Sequence, residues 1–94
     1  MYLEFQLRFK NVFGIIMTNK EKYVNCFVEA LEVEPSEVDS LEYQGVISWD
    51  SVGHMSLIAA IEDAFEITMD TDDIVDLSSF KKGIELLKKY QIEI

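Results

Sequence analysis

The chain is poor in the residues that staple or punctuate a fold. Its 94 residues include one cysteine, one histidine, one proline and four glycines. A single cysteine, Cys26, excludes an internal disulfide, so the fold does not depend on oxidation and reads as cytoplasmic. One histidine and one cysteine cannot form a His/Cys metal cluster of any usual spacing, and no metal site is expected. No apolar run approaches the ~18 residues of a membrane span. Basic residues are also scarce: 8 lysines and arginines stand against 18 aspartates and glutamates, for a net charge of −10. Phosphate backbones need a basic face, which argues against nucleic acid as a direct ligand. The same excess disfavours anionic membranes and favours partners with basic surfaces.

What is present suffices for one small domain. Hydrophobic residues make up 49% of the chain. A chain of this length buries roughly 60–65% of its unfolded surface, so the core is expected to be thin.

Residues 1–16 differ from the rest. They carry Glu4, Arg8 and Lys10, net +1, which leaves −11 for residues 17–94. Leu3, Phe5, Leu7 and Phe9 alternate with Glu4, Gln6, Arg8 and Lys10, a strand period with no second strand evident to pair with it. Charged and polar residues interrupt any secretory signal. From Met17 the pattern changes: Thr18-Asn19-Lys20-Glu21 has the form of a capping box. Residues 1–16 therefore read as an N-terminal extension and residues 17–94 as the domain. The competing reading is a strand or short helix that packs on the domain or pairs between copies; left unpaired, it would be an aggregation hazard.

The remainder reads as helical. Tyr23, Val24, Phe27, Val28 and Leu31 line one face of a helix over about 18–33, with Cys26 beside that face as a small hydrophobe. Pro35 ends it. Residues 35–50 form a long connection with one turn at 36–38, expected to be pinned by Leu41, Tyr43, Val46, Ile47 and Trp49. A second helix is expected over 51–65, a short one near 71–75, and a last one from Ser78 or Ser79 to about Tyr90. Phe80, Ile84 and Leu87 form the stripe of that last helix, and Lys88 and Lys89 complement its dipole. Gly83 reads as a weak spot, costing about 1 kcal/mol relative to alanine.

Few of these residues suit catalysis. Asp70, Asp72, Asp73 and Asp76 could suggest a calcium loop. Counted from Asp70, however, positions 5, 6 and 12 are Ile74, Val75 and Lys81, so the pattern fails three times. A charged first turn, without further role, is the plainer reading. His54 follows Ser51 by one turn, but Trp49-Asp50-Ser51-Val52-Gly53 lacks the first glycine of a nucleophile elbow. No enzyme is expected and no residue is assigned as catalytic. His54 is expected on the surface at the start of the second helix.

That helix carries more apolar surface than one core needs. Leu57, Ile61 and Phe65, with Ile58, form one stripe; Val52, Met55 and Ala59 form another, rotated away from it. The second could serve as a docking surface rimmed by Glu62, Asp63 and Glu66, or be covered by the long connection or residues 1–16. Acids in the last turns oppose the helix dipole, which hints at a basic partner. Asp50-Ser51 at the helix start is weak evidence alone, since either residue is a common N-cap. The position nonetheless suits a phosphate, because free N–H groups and the positive dipole end face it.

Taken together, Asp50-Ser51-Val52, the run Ile61-Glu62-Asp63-Ala64-Phe65, Ile67-Thr68-Met69 and Leu77-Ser78-Ser79-Phe80 resemble the acyl carrier protein family. The resemblance covers about residues 18–90, and residues 1–16 have no counterpart. It implies an all-α, small four-helix bundle of three longer helices and one short one. It implies that Ser51, beside Asp50, accepts 4′-phosphopantetheine from coenzyme A through a separate phosphopantetheinyl transferase. The arm's thiol then holds an acyl or aminoacyl intermediate as a thioester. Val52, Met55, Ala59, Glu62 and Asp63 fall where family members meet basic partners, here an activating ligase and acyl-processing enzymes. A monomer is expected. Three departures stand out. Ser48 replaces the glycine usual two residues before Asp-Ser, and Gly53 and Ser56 stand where fatty-acid carriers commonly have acids. With Trp49 and His54, the run looks like a stand-alone carrier of a specialised pathway. The alternative from another class is a carrier-like adaptor that docks basic partners without a prosthetic group.

Overall fold

The structure, a computed structural model, describes residues 17–94. Both readings of residues 1–16 lie outside the described residues. The chain forms α1 (Asn19–Leu31), a 3₁₀ helix (Pro35–Ser40), α2 (Ser51–Phe65), α3 (Thr71–Asp76) and α4 (Phe80–Lys88). Among the described residues there is no strand, only an isolated bridge between Glu42 and Ser79. The fold is all-α. None of the described helices is long and apolar enough to cross a membrane.

Local chemistry explains the boundaries. The Thr18 hydroxyl accepts from Glu21 N at 3.1 Å, and Glu21 Oε1 accepts from Thr18 N at 2.8 Å, so the capping box is complete. α1 stops at Leu31, two residues before the expected end, because Glu32 turns left-handed at φ 56°. Its N–H then closes on Val28 O at 3.0 Å, in the manner of a left-handed C-cap. Pro35 opens the 3₁₀ helix where a missing N–H costs nothing. Glu34 N donates to Glu37 Oε1 at 3.0 Å, which caps that helix. The single turn expected at 36–38 is thus a six-residue element, anchored by buried Val38.

The 41–50 connection is tied down by backbone as much as by side chains. Tyr43 N donates to Ser78 O at 2.8 Å and Phe80 N to Leu41 O at 3.0 Å, which lashes the connection to the start of α4. Leu41 and Trp49 are buried and Val46 packs against the core, as expected, while Tyr43 is only partly covered. Ile47 does the opposite of pinning: it is 98% exposed. The backbone ties hold the loop without it.

The core is centred on rings. Tyr23 lies 5.0 Å from Phe27 and 4.7 Å from Phe80, and Phe27 lies 5.1 Å from Phe80 and 5.5 Å from Trp49, centroid to centroid. Most pairs are edge-to-face, the arrangement ring quadrupoles favour. The Tyr23 hydroxyl donates to Phe80 O at 2.6 Å, and burial pushes its ionisation far up. Leu57, Ile58 and Ile61 of α2 join this core, and α1 packs along α2. Gly83 is more than a weak spot. A Cβ there would meet the Tyr23 hydroxyl oxygen at 1.9 Å and Leu77 Cδ1 at 2.7 Å. The missing side chain lets α1 and α4 close on each other.

The aspartates of α3 also have a role that their spacing concealed. Asp73 is buried. Its Oδ1 accepts from Lys89 Nζ and its Oδ2 from the Tyr90 hydroxyl, each at 2.6 Å, while Asp70 N donates to the same hydroxyl at 2.8 Å. α3 is thereby strapped to the end of α4. The hydrogen bond from Lys89, then that from Tyr90, holds the Asp73 carboxyl below the usual range. Asp73 in turn raises Lys89. Burial, then the bond to Asp73, raises Tyr90.

Candidate functional site

The site is built on the first turn of α2. Asp50 is the N-cap: its Oδ1 accepts from Gly53 N at 2.8 Å, and its carbonyl accepts from His54 N at 2.7 Å. The first is the side-chain cap and the second is the first i→i−4 bond of the helix. Ser51 is therefore the first helical residue and not the cap. Its side chain is exposed and makes no hydrogen bond among the described residues. The N–H groups of Ser51 and Val52 precede the first bond of the helix, so free donors and the positive dipole end lie at the end of the helix that carries Ser51.

Gly53 stands where the packing admits no side chain. A Cβ at this position would lie 1.8 Å from Ser48 O, inside any tolerable contact, and 3.3 Å from Leu31 Cδ2. An acid cannot stand here, because the 41–50 connection presses directly on the helix.

His54 is not a free surface residue. It is part-buried, between the connection and α3. Trp49 Nε1–H donates to His54 Nδ1 at 3.0 Å, and His54 Nε2 lies 2.7 Å from Ile74 O. Since Nδ1 accepts, the ring proton belongs on Nε2, where it is donated to Ile74; the bonding partners assign this tautomer. The two rings lie within 14° of parallel with centroids 6.2 Å apart. Tyr43 stands nearly perpendicular to both, 6.3 Å from Trp49 and 5.5 Å from His54. One histidine thus joins the connection, α2 and α3 beside Ser51. No local signal could reveal this, because Ile74 lies twenty residues on.

Among the described residues, nothing covers the second apolar line of α2. Val52 is 75% and Met55 53% exposed, and Ala59 is exposed as well. Ile47, four residues before Ser51, and Val75, which adjoins Ile74, add exposed apolar surface. Asp63 and Glu66 are exposed, whereas Glu62 is half-buried. Glu62 Oε2 accepts from Met69 N at 2.9 Å, and its carbonyl accepts from Ile67 N at 3.1 Å. Glu62 thus shapes the turn that follows α2. Phe65 at that end is half-buried, with Lys22 Nζ 5.9 Å from its ring centroid.

Among the described residues, no group of three or more His, Cys, Asp and Glu side chains is placed to hold a metal ion. Cys26 is buried. No protein-family model, curated protein or solved structure matches the chain.

Proposed function

We propose that the chain is a non-enzymatic, cytoplasmic carrier of the acyl-carrier kind, a small four-helix bundle with Ser51 as its point of attachment for 4′-phosphopantetheine. One observation carries the reading. Asp50 supplies the side-chain cap at the start of α2, and the neighbouring Ser51 hydroxyl is exposed and makes no hydrogen bond among the described residues.

The residues fit such a group. An exposed serine at the first position of a 15-residue helix can enter a transferase's active site without unfolding anything. In the transfer, the Ser51 oxygen bonds the phosphorus that bears pantetheine as the pyrophosphate P–O bond of coenzyme A breaks; adenosine 3′,5′-bisphosphate leaves, and the hydroxyl proton passes to the transferase. The N–H groups of Ser51 and Val52 and the dipole end then favour the phosphodiester's negative charge. When attached, the arm supplies the thiol on which cargo is held as a thioester. Val52, Met55 and Ala59 offer an exposed apolar strip, and Asp63 and Glu66 give it an acidic rim, which suits activating and processing enzymes with basic docking faces. Glu62 contributes charge to that rim while holding Met69 N.

Incubation with a phosphopantetheinyl transferase, magnesium and coenzyme A tests this. The intact mass of the chain is expected to rise by one phosphopantetheine, and Ser51→Ala is expected to abolish the gain. A chain that stays unmodified with several broad-specificity transferases would leave the adaptor reading standing instead.

A further inference from the structure

The seams nearest an arm tethered at Ser51 lie on either side of the first turn of α2. Each is crossed by a close contact. On one side Gly53 meets the 41–50 connection so closely that a Cβ would sit 1.8 Å from Ser48 O. On the other side the gap between α2 and α3 is crossed by His54 Nε2 and Ile74 O, 2.7 Å apart. Widening that gap breaks this bond. Moving His54 also strands the indole N–H of Trp49, which has no exposed surface from which to find water. A buried donor without a partner is costly.

Behind the seams the space between the helices is taken. Tyr23, Phe27, Trp49 and Phe80 stand ring against ring at 4.7–5.5 Å. The Tyr23 hydroxyl is further anchored on Phe80 O, filling the volume above Gly83. Close-packed interiors yield to an extra chain only by displacing side chains from their rotamers.

We infer that the cargo of Ser51 stays outside the helical interior, and that the chain serves a short or polar acyl group in preference to a long alkyl chain buried among its helices. This rests on the reading of Ser51 given above. A long apolar chain left in water gains nothing from the carrier, whereas a small or polar group needs no shelter. His54 is the positioning residue of this arrangement: it closes the seam and touches no cargo.

The test loads the full-length chain with acetyl- or octanoyl-phosphopantetheine, using a broad-specificity transferase and the matching acyl-coenzyme A, and confirms loading by intact mass. Trp49 is the only tryptophan, so its indole N–H gives a single NMR reporter of the closed seam. The inference expects the octanoyl and acetyl forms to share that resonance and to melt together. An alkyl chain moved from water into the interior would raise the octanoyl form's Tm by roughly 10 °C or more. Such a rise, or a displaced indole resonance in the octanoyl form alone, would overturn the inference while leaving Ser51 as the attachment point. Failure of both acyl groups to load would overturn the reading of Ser51, and this inference with it.

Discussion

The indole N–H of Trp49 donates to Nδ1 of His54 at 3.0 Å, and the same imidazole meets Ile74 O through its other nitrogen. His54→Ala leaves a buried indole donor and a carbonyl unpaired together. A loss of about 1–3 kcal/mol is expected, the cost of leaving a buried polar group unsatisfied. Urea denaturation should show the midpoint fall with an unchanged m-value. The Trp49 indole resonance should shift even where the variant remains fully folded.

Gly53→Ala drives a methyl group into Ser48 O, a backbone atom that cannot swing aside. The helix or the connection must move, and overpacking of this kind costs roughly 1–3 kcal/mol. Thermal melting should register a fall of about 4–8 °C per kcal/mol in a domain of this size. Ser56→Ala, on the exposed side of the same helix, should stay within about 0.5 kcal/mol of the parent.

Gly83→Ala should reverse the usual helix preference. Alanine is favoured over glycine by about 1 kcal/mol in a helix interior, yet here its Cβ meets the Tyr23 hydroxyl at 1.9 Å. The substitution is expected to destabilise. In a Tyr23→Phe background the clash with the hydroxyl is gone, so the added cost of Gly83→Ala should shrink. A double-mutant cycle measures that coupling, and additive costs would contradict the packing described.

The strap between α3 and α4 gives stability a pH dependence at both ends. Lys89 and Tyr90 lower Asp73, so its contribution is in place above an unfolded value of about 3.9. It is lost as pH falls through the lower folded value. Asp73 raises Lys89, so that contribution is in place below about 10.4 and is lost as pH rises through the higher folded value. Lys89 is largely exposed, and salt should weaken its share. Urea midpoints measured from neutral to acid pH should fall less steeply for Asp73→Asn than for the parent.

Much of the architecture is legible in the chain because its causes are local. Tyr23, Phe27 and Leu31 mark α1, Leu57 and Ile61 mark α2, and Phe80 and Leu87 mark α4 by their spacing. All seven are buried. Asp50-Ser51 before an apolar run places the start of α2 near Ser51, and the structure makes Asp50 the N-cap. What escaped depends on partners distant in sequence. His54 is explained by Ile74, Gly83 by Tyr23, and Asp73 by Lys89 and Tyr90. Nothing in a run of neighbours distinguishes a buried aspartate from a solvated one. Ile47 misleads for the opposite reason: its composition suggests an anchor, but backbone bonds from Tyr43 and Phe80 already hold the loop. At the site, the motif pointed to Ser51 and Asp50, and the structure adds the division of labour between them, with Asp50 capping the helix and Ser51 left free.

The central claim is that Ser51 carries the arm. Fragment mass spectrometry of the transferase-treated chain locates the added group directly. The account predicts a single phosphopantetheine on Ser51 and none on Ser48 or Ser56, which flank it in the same peptide region. A group found on either of those serines, or no group at all, would contradict it.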